Sequence, residues 1–382
     1  MSEYQYYEFQ AIDQALDAAA QAALRAISTR ARITSTSFIN HYEWGNLKAD
    51  PHELMARWFD LHLYLANWGT RVLMVRIPRR LFDPAAAEPY AVPWVLDIEQ
   101  EGENVILTFQ VEEHIGDEWD DGPGWLAALS PLRAALMEGD QRCLYLAWLM
   151  AVQRSAVEDS AREPPRPPGL ARPDGTLQAF MDFFGIDSDL FAAAAEGDAD
   201  VEPDPLRPEA LEAFIRDLPA AEKGTMLLRV AQGKAATLAS ELRRRCRAAL
   251  GTGGSGRRLK RRTVAGLRRA AEERAAERRR VAAERAAAER ARQEREEAEA
   301  RARRLDALAG RGEAAWQEVE DLIATKQPAR YDQAVALLAD LRALSERAGT
   351  AEAFRRRLAG LRERHARKPS LVSRLDRAEL RW

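Results

Sequence analysis

Leu267-Arg268-Arg269-Ala270-Ala271-Glu272-Glu273-Arg274-Ala275-Ala276-Glu277-Arg278 opens a run of almost nothing but Arg, Glu and Ala that reaches Leu308 without a Gly or a Pro. All three residue types are strong helix formers, because straight or minimal side chains lose little rotamer freedom there. The stretch Arg257–Leu308 therefore reads as one long helix. At 1.5 Å per residue, roughly 50 residues reach about 75 Å, so such an element spaces or connects other parts. Just before it, Gly251-Thr252-Gly253-Gly254-Ser255-Gly256 reads as a hinge between two helical stretches. A coiled coil needs large apolar residues every 3.5 positions over several heptads. Up to Leu305 the stretch offers only Leu259, Val264, Leu267, Val281 and Leu305. Charged pairs such as Glu297/Arg301, Glu299/Arg303, Arg285/Glu289 and Arg295/Glu299 stand at helical spacing, each worth a few tenths of a kcal/mol. The leading expectation is a solvated single helix, followed by a weak Ala-seamed coiled coil within or between chains, then a helix for nucleic acid.

Working outward, charge divides the chain. From Glu241 to Arg304 there are 22 Lys and Arg against 10 Asp and Glu, and from Leu305 to Trp382 there are 15 against 12. Residues 1–240 hold the other 20 basic and 38 acidic side chains, so the formal net charge of −3 hides an acidic front at −18 and a basic block at +12. Blocks of one sign attract the other sign, on a partner, a nucleic acid or the same protein.

At 382 residues, 46% of them apolar, the chain can build two or three ordinary cores. Its longest wholly apolar run, Leu144–Val152, is too short to span a bilayer, and Met1-Ser2-Glu3-Tyr4-Gln5 lacks the basic and apolar regions of a signal peptide. The expectation is a cytoplasmic protein with no membrane partner. Two distant cysteines, Cys143 and Cys246, supply neither a disulfide scaffold nor a cysteine zinc site.

In chain order, Tyr4–Ile12 reads as a strand, and Asp13 as the cap of an Ala-rich helix to Ile27. Arg32–Ile39 reads as a second strand. Asp50-Pro51-His52-Glu53 is a capping box with Pro at the first helical position, and Leu54, Trp58, Leu61 and Leu65 would continue that helix to Gly69. Val72–Ile77, Trp94–Ile98 and Val105–Val111 read as strands, followed by helices over Trp125–Met137 and Asp140–Ser155. Glu163–Gly169 is an extended, Pro-rich linker. Short helices from Leu177 to Leu250 gather round Phe180, Phe183, Phe184, Phe191 and Phe214, and three more cover Trp316–Thr325, Tyr331–Ala348 and Thr350–His365.

The expected fold is multidomain and mostly α. It comprises an N-terminal α+β domain over 1–158, a Pro-rich linker over 159–173 and a small helical domain over 174–250. A Gly-rich hinge over 251–256, the long charged helix over 257–308 and a C-terminal helical hairpin or bundle over 309–382 complete it.

Tyr331-Asp332-Gln333-Ala334 with Leu337, Leu338 and Leu341 resembles half of a tetratricopeptide-type helix pair. Arg364-His365-Ala366-Arg367-Lys368-Pro369-Ser370-Leu371 through Leu375 resembles the tails of bacterial proteins that carry a SWIM zinc finger. That finger needs Cys-x-Cys and Cys-x-His, and the chain has neither. The opening Met1–Asp13 resembles the start of a family of uncharacterised bacterial proteins, a resemblance that implies no activity.

Chemistry has few candidates. His41, His52, His62, His114 and His365 form no metal-ligand spacing, so no metal, cofactor or catalytic residue is assigned. Asp60 and His62, with His41 and Glu43, could make an acid–base cluster only if the fold gathers them; packing of His62 against a core is the simpler expectation. The Gly-rich run lacks the Gly-Lys-Ser/Thr ending of a phosphate loop and follows a helix. In the acidic segment Glu112–Gly122, whose oxygens could also hold a hard divalent cation, Trp119 stands among Asp117, Glu118, Asp120 and Asp121; a ring ringed by carboxylates suits a basic partner, the alternative being that it folds back to cap the domain. The resulting expectation is a bacterial scaffold or adaptor that binds a protein partner through those residues, the long helix acting as spacer or as a self-association element. The alternative is a nucleic-acid binder using segment 243–280, with Arg243, Arg244, Arg245, Arg247, Arg257, Arg258, Lys260, Arg261 and Arg262 along phosphates. A third reading is an enzyme of unrecognised type in the N-terminal domain.

Overall fold

Short runs rich in aromatic, β-branched and leucine side chains set the architecture of the N-terminal part. In a computed structural model, which describes residues 3–112, 121–196, 206–251 and 261–380, they form one antiparallel sheet. Its strands are β1 (Gln5–Gln10), β2 (Arg32–Ile33), β3 (Ser37–Tyr42), β4 (Leu61–Ala66), β5 (Arg71–Pro78), β6 (Leu96–Glu101) and β7 (Asn104–Val111), in the order β2-β3-β1-β4-β5-β7-β6. Leu73, Val75 and Ile77 of β5 alternate inward with Leu61, Leu63 and Leu65 of β4 and with Val105, Leu107 and Phe109 of β7. Phe9, Phe38 and Ile106 face the other way.

Both faces are covered. Helices α1 (Ala18–Ile27) and α2 (Pro51–Arg57) pack Leu24, Leu54 and Met55 on the Phe9 side. The short α3 (Pro84–Ala87) is followed by α4 (Trp125–Leu129), α5 (Pro131–Met137), α6 (Arg142–Gln153), α7 (Gly175–Phe184) and α8 (Ser188–Ala194) on the other side. Every residue of α6 from Cys143 to Val152 is buried, as an all-round apolar helix must be. Helices α9 (Pro208–Asp217), α10 (Ala220–Ala231) and α11 (Leu238–Leu250) share a small separate cluster of Leu218, Met226 and Leu238.

The long helix is α12 (Val264–Ala309), and α13 (Gly312–Ala324), α14 (Pro328–Arg347), α15 (Ala351–Arg364) and α16 (Pro369–Arg377) follow it. Two compact units result, Met1–Glu277 and Arg278–Trp382, with the boundary inside α12. The first turns of α12 belong to the core of the first unit, where Val264 and Leu267 are fully buried. Glu163 and Arg262 fix that root: the buried carboxylate accepts from the Arg262 guanidinium and amide and from the Tyr145 hydroxyl. Arg262 also caps the carbonyls of Ala193 and Ala194 at the end of α8. Farther along, every side chain from Ala282 to Arg304 is exposed. Pairs such as Arg280–Glu284 and Arg292–Glu289, both 2.7 Å, supply lateral support. The second unit encloses its own core of Leu308, Val319, Ile323, Leu338, Phe354, Leu358, Leu371 and Leu375. Among the described residues, no helix is long and apolar enough to cross a membrane.

Several sequence expectations change. The helix begun at Asp50 is capped as expected, Asp50 accepting from the His52 amide, but it ends at Arg57, and Leu61–Ala66 is strand β4. Leu61 and Leu65 satisfy period 3.6 and period 2 alike, and the pairing with β1 and β5 decides. Asp17 rather than Asp13 caps α1. The expected strand Arg32–Ile39 splits into β2 and β3, because Thr34 and Ser37 close a turn between them. Phe180, Phe183 and Phe184 of α7 sit in the same core as the sheet instead of organising a separate helical unit. The C-terminal unit has a fourth helix, α16, which buries Leu371 and Leu375. Of the expected hinge, 252–256 lies outside the described residues, while Gly251 ends α11 in the left-handed conformation that glycine favours.

Candidate protein-binding face

The residues first considered for chemistry are not brought together. His62 is fully buried on β4, stacked on Phe9 at 3.8 Å, with Nδ1 3.0 Å from the Glu8 carbonyl oxygen. Burial lowers its pKa to about 3, so the ring is neutral and part of the core. His41, on β3, instead stacks on Tyr4 at 6.3 Å, and Glu43 is exposed beyond that strand. Asp60 closes a buried ionic network. One oxygen accepts from the Ile12 and Asp13 amides, the other from Arg76 and Arg133, and Arg133 also grips Asp13 with both Nη atoms at 2.9 and 2.6 Å. A carboxylate so fully engaged holds strands and α5 in register. Cys143 lies inside α6, where burial pushes its thiol pKa up. Among the described residues no group of three His, Cys, Asp or Glu side chains could hold a metal ion.

The basic residues proposed for phosphates are largely engaged by acids of the same unit. Arg243 and Arg247 both reach Glu138, at 3.1 and 2.9 Å, Arg245 pairs with Glu222, Arg244 donates to the Arg80 carbonyl, and Arg262 pairs with Glu163. Arg261 is exposed, and Arg257, Arg258 and Lys260 lie outside the described residues. Asp117, Glu118, Trp119 and Asp120 of the expected partner patch also lie outside them; Asp121 is described and exposed.

Strand register shows what stands beside Asp121. Gln5 is flanked by Tyr42 on β3 and Ala66 on β4, Arg71 of β5 faces Val111 of β7, and Leu96 of β6 faces Phe109. The ends of β3, β4 and β7 and the starts of β1, β5 and β6 therefore share one end of the sheet. Asp121 belongs there, since its carbonyl accepts from the Tyr4 hydroxyl at 2.8 Å. Gly122, at φ +93°, lies so close to the Tyr6 ring that an added Cβ would come within 2.4 Å of it, so only glycine lets the chain pass here.

No family model matches the chain, and no curated protein or solved structure is significantly similar to it.

Three tryptophans sit at this sheet end, each in a loop and each exposed: Trp44 at 73%, Trp68 at 48% and Trp94 at 81%. Trp44 lies two residues past the Tyr42–Gln5 pair and Trp68 two past the Ala66–Gln5 pair, at the same height on strands about 10 Å apart. Trp94 lies two residues before Leu96 on β6, three strands beyond β4 in the sheet order. Exposed rings of this size are unusual singly and form a surface when gathered. Nothing in the local sequence assigned the three to one site, and Trp94 was expected in a strand that in fact begins at Leu96. A signal was present. Trp44-Gly45, Trp68-Gly69 and Pro93-Trp94 each set the ring beside a turn-forming residue, and Gly45 and Gly69 indeed take φ +82° and +101°.

Proposed function

We propose that this protein is a non-enzymatic scaffold or adaptor whose N-terminal unit captures a protein partner at the tryptophan-bearing end of its sheet. The observation that carries the reading is the placement of Trp44, Trp68 and Trp94 in three separate loops that the register brings to one end. Large amphipathic rings exposed together supply binding energy that a scattered polar surface does not. Asp121, at the end of the acidic segment that follows β7 in sequence, stands at the same end of the sheet and belongs to the proposed site. The long helix serves as spacer, or as a self-association element, between the recognition unit and the C-terminal helical bundle. Its bare stretch, with charges of both signs and no large apolar residue after Val281 until Leu305, supports the spacer role first. The pairing of Arg243, Arg245 and Arg247 with Glu138 and Glu222 favours a protein partner over a phosphate track, because those guanidinium groups already have anionic partners.

The experiment is capture of native partners by the immobilised full chain and by a Trp44→Ser/Trp68→Ser double variant. The double variant should keep its melting temperature and lose the captured protein by at least about tenfold. Equal capture by both chains, or capture lost only when the long helix is altered, would overturn the assignment to this face.

A further inference from the structure

Trp94 differs from the other described tryptophans in its backbone. The Val95 amide donates to the Val92 carbonyl at 3.0 Å, closing a β-turn with Pro93 and Trp94 at its centre. Pro93 is confined to negative φ, and Trp94 takes φ +65°, so the turn is type II with tryptophan where glycine belongs. A bulky residue held at positive φ is strained, and strain of this kind clusters at binding and active sites. Being 81% exposed, the ring gains little from the fold in return.

The other described tryptophans show what chemistry their rings accept. Arg30 stands over Trp44 at 5.9 Å, Arg57 over Trp58 at 4.4 Å, Arg71 over Trp125 at 6.0 Å and Arg357 over Trp316 at 4.5 Å. Trp148 is buried against Tyr145, and the Trp68 indole nitrogen donates to Thr70. Among the described residues, Trp94 has no such guanidinium. Its surroundings in sequence cannot supply one: from Leu81 to Leu132 there are twelve Asp and Glu and no Lys or Arg. Of these, Glu112 and Asp121 are exposed at the same end of the sheet, where the Arg154 guanidinium is engaged on the Glu112 carbonyl rather than on the Trp94 ring.

We infer that Trp94 is the anchor of the binding face and that its partner is an arginine-bearing, cationic polypeptide segment whose guanidinium stacks on the indole while neighbouring carboxylates take the remaining charge. This rests on the partner-binding reading above and gives that partner its chemistry. Arginine rather than lysine follows from the flat, weakly hydrated guanidinium, which covers an exposed ring where a compact ammonium stays in water.

The test uses the full chain and labelled peptides carrying six arginines, or six lysines, spaced by Gly-Ser, with binding followed by anisotropy at low and physiological salt. The arginine peptide should bind about tenfold tighter than the lysine peptide. Trp94→Gly should remove that preference and weaken arginine binding about tenfold, while the melting temperature stays level or rises by up to about 3 °C as the strain is relieved. Trp94→Asn, which also tolerates positive φ, should behave alike. Equal binding of the two peptides, or a fall in melting temperature with both variants, overturns the inference, the second because the ring would then be structural. A dimer of the full chain that Trp94→Gly dissolves overturns it in favour of a second copy as the occupant. If the native partner is lost with Trp44→Ser/Trp68→Ser but retained with Trp94→Gly, the binding face stands and only the anchor fails.

Discussion

In the N-terminal unit the guanidinium of Arg133 is buried and donates to Asp13, Asp60 and the Arg76 carbonyl. In the C-terminal unit Arg357 lies at the surface across Glu313, which is largely exposed. Both are arginine–carboxylate contacts on paper, yet they do different physical work. Removing water from Arg133 and Asp60 is costly, and the network repays it only while every donor and acceptor is matched. Glu313 keeps its water, and although the hydrogen bond from Arg357 lowers its pKa, solvent screens the attraction. The Arg133 network thus acts as architecture, and the Arg357 pair as surface trim.

The comparison is sharpest at Arg133. Arg133→Ala leaves Asp60 buried beside a weakened set of donors and should destabilise the first unit by about 3–5 kcal/mol in chemical denaturation. A loss under about 1 kcal/mol would show that the buried network is as replaceable as a surface pair. His62 comes next. Its folded pKa, lowered by burial to about 3, lies below the unfolded value of 6.5, so the unfolded chain binds the extra proton and stability is lost as pH falls through that window. The slope should be about 1.4 kcal/mol per pH unit, reaching about 3 kcal/mol at pH 4. His62→Gln should flatten this dependence even if it lowers stability at neutral pH; an unchanged slope assigns the acid sensitivity elsewhere. The smallest effect is expected at Arg357→Ala, below about 1 kcal/mol for the second unit and diminished further by salt. A larger, salt-independent loss would mean that the packing of Arg357 over Trp316 matters more than its charge.

Much of the scaffold was determined by local sequence. The Arg, Glu and Ala run could hardly be anything but helix, because each of its residue types favours that state without help from neighbours. Asp50-Pro51 set a helix start because the cap is a contact between adjacent residues, and Val72–Ile77 and Val105–Val111 announced strands by composition alone. The tertiary structure decided wherever two periods fitted or where partners lay far apart in the chain. Leu61 and Leu65 became strand because β1 and β5 offered hydrogen bonds on both sides. Arg243 and Arg247 found Glu138 more than a hundred residues away, turning an apparent free basic patch into a clamp. Trp44, Trp68 and Trp94 came to one end of the sheet only through strand order, since register is a long-range property that no window of sequence contains.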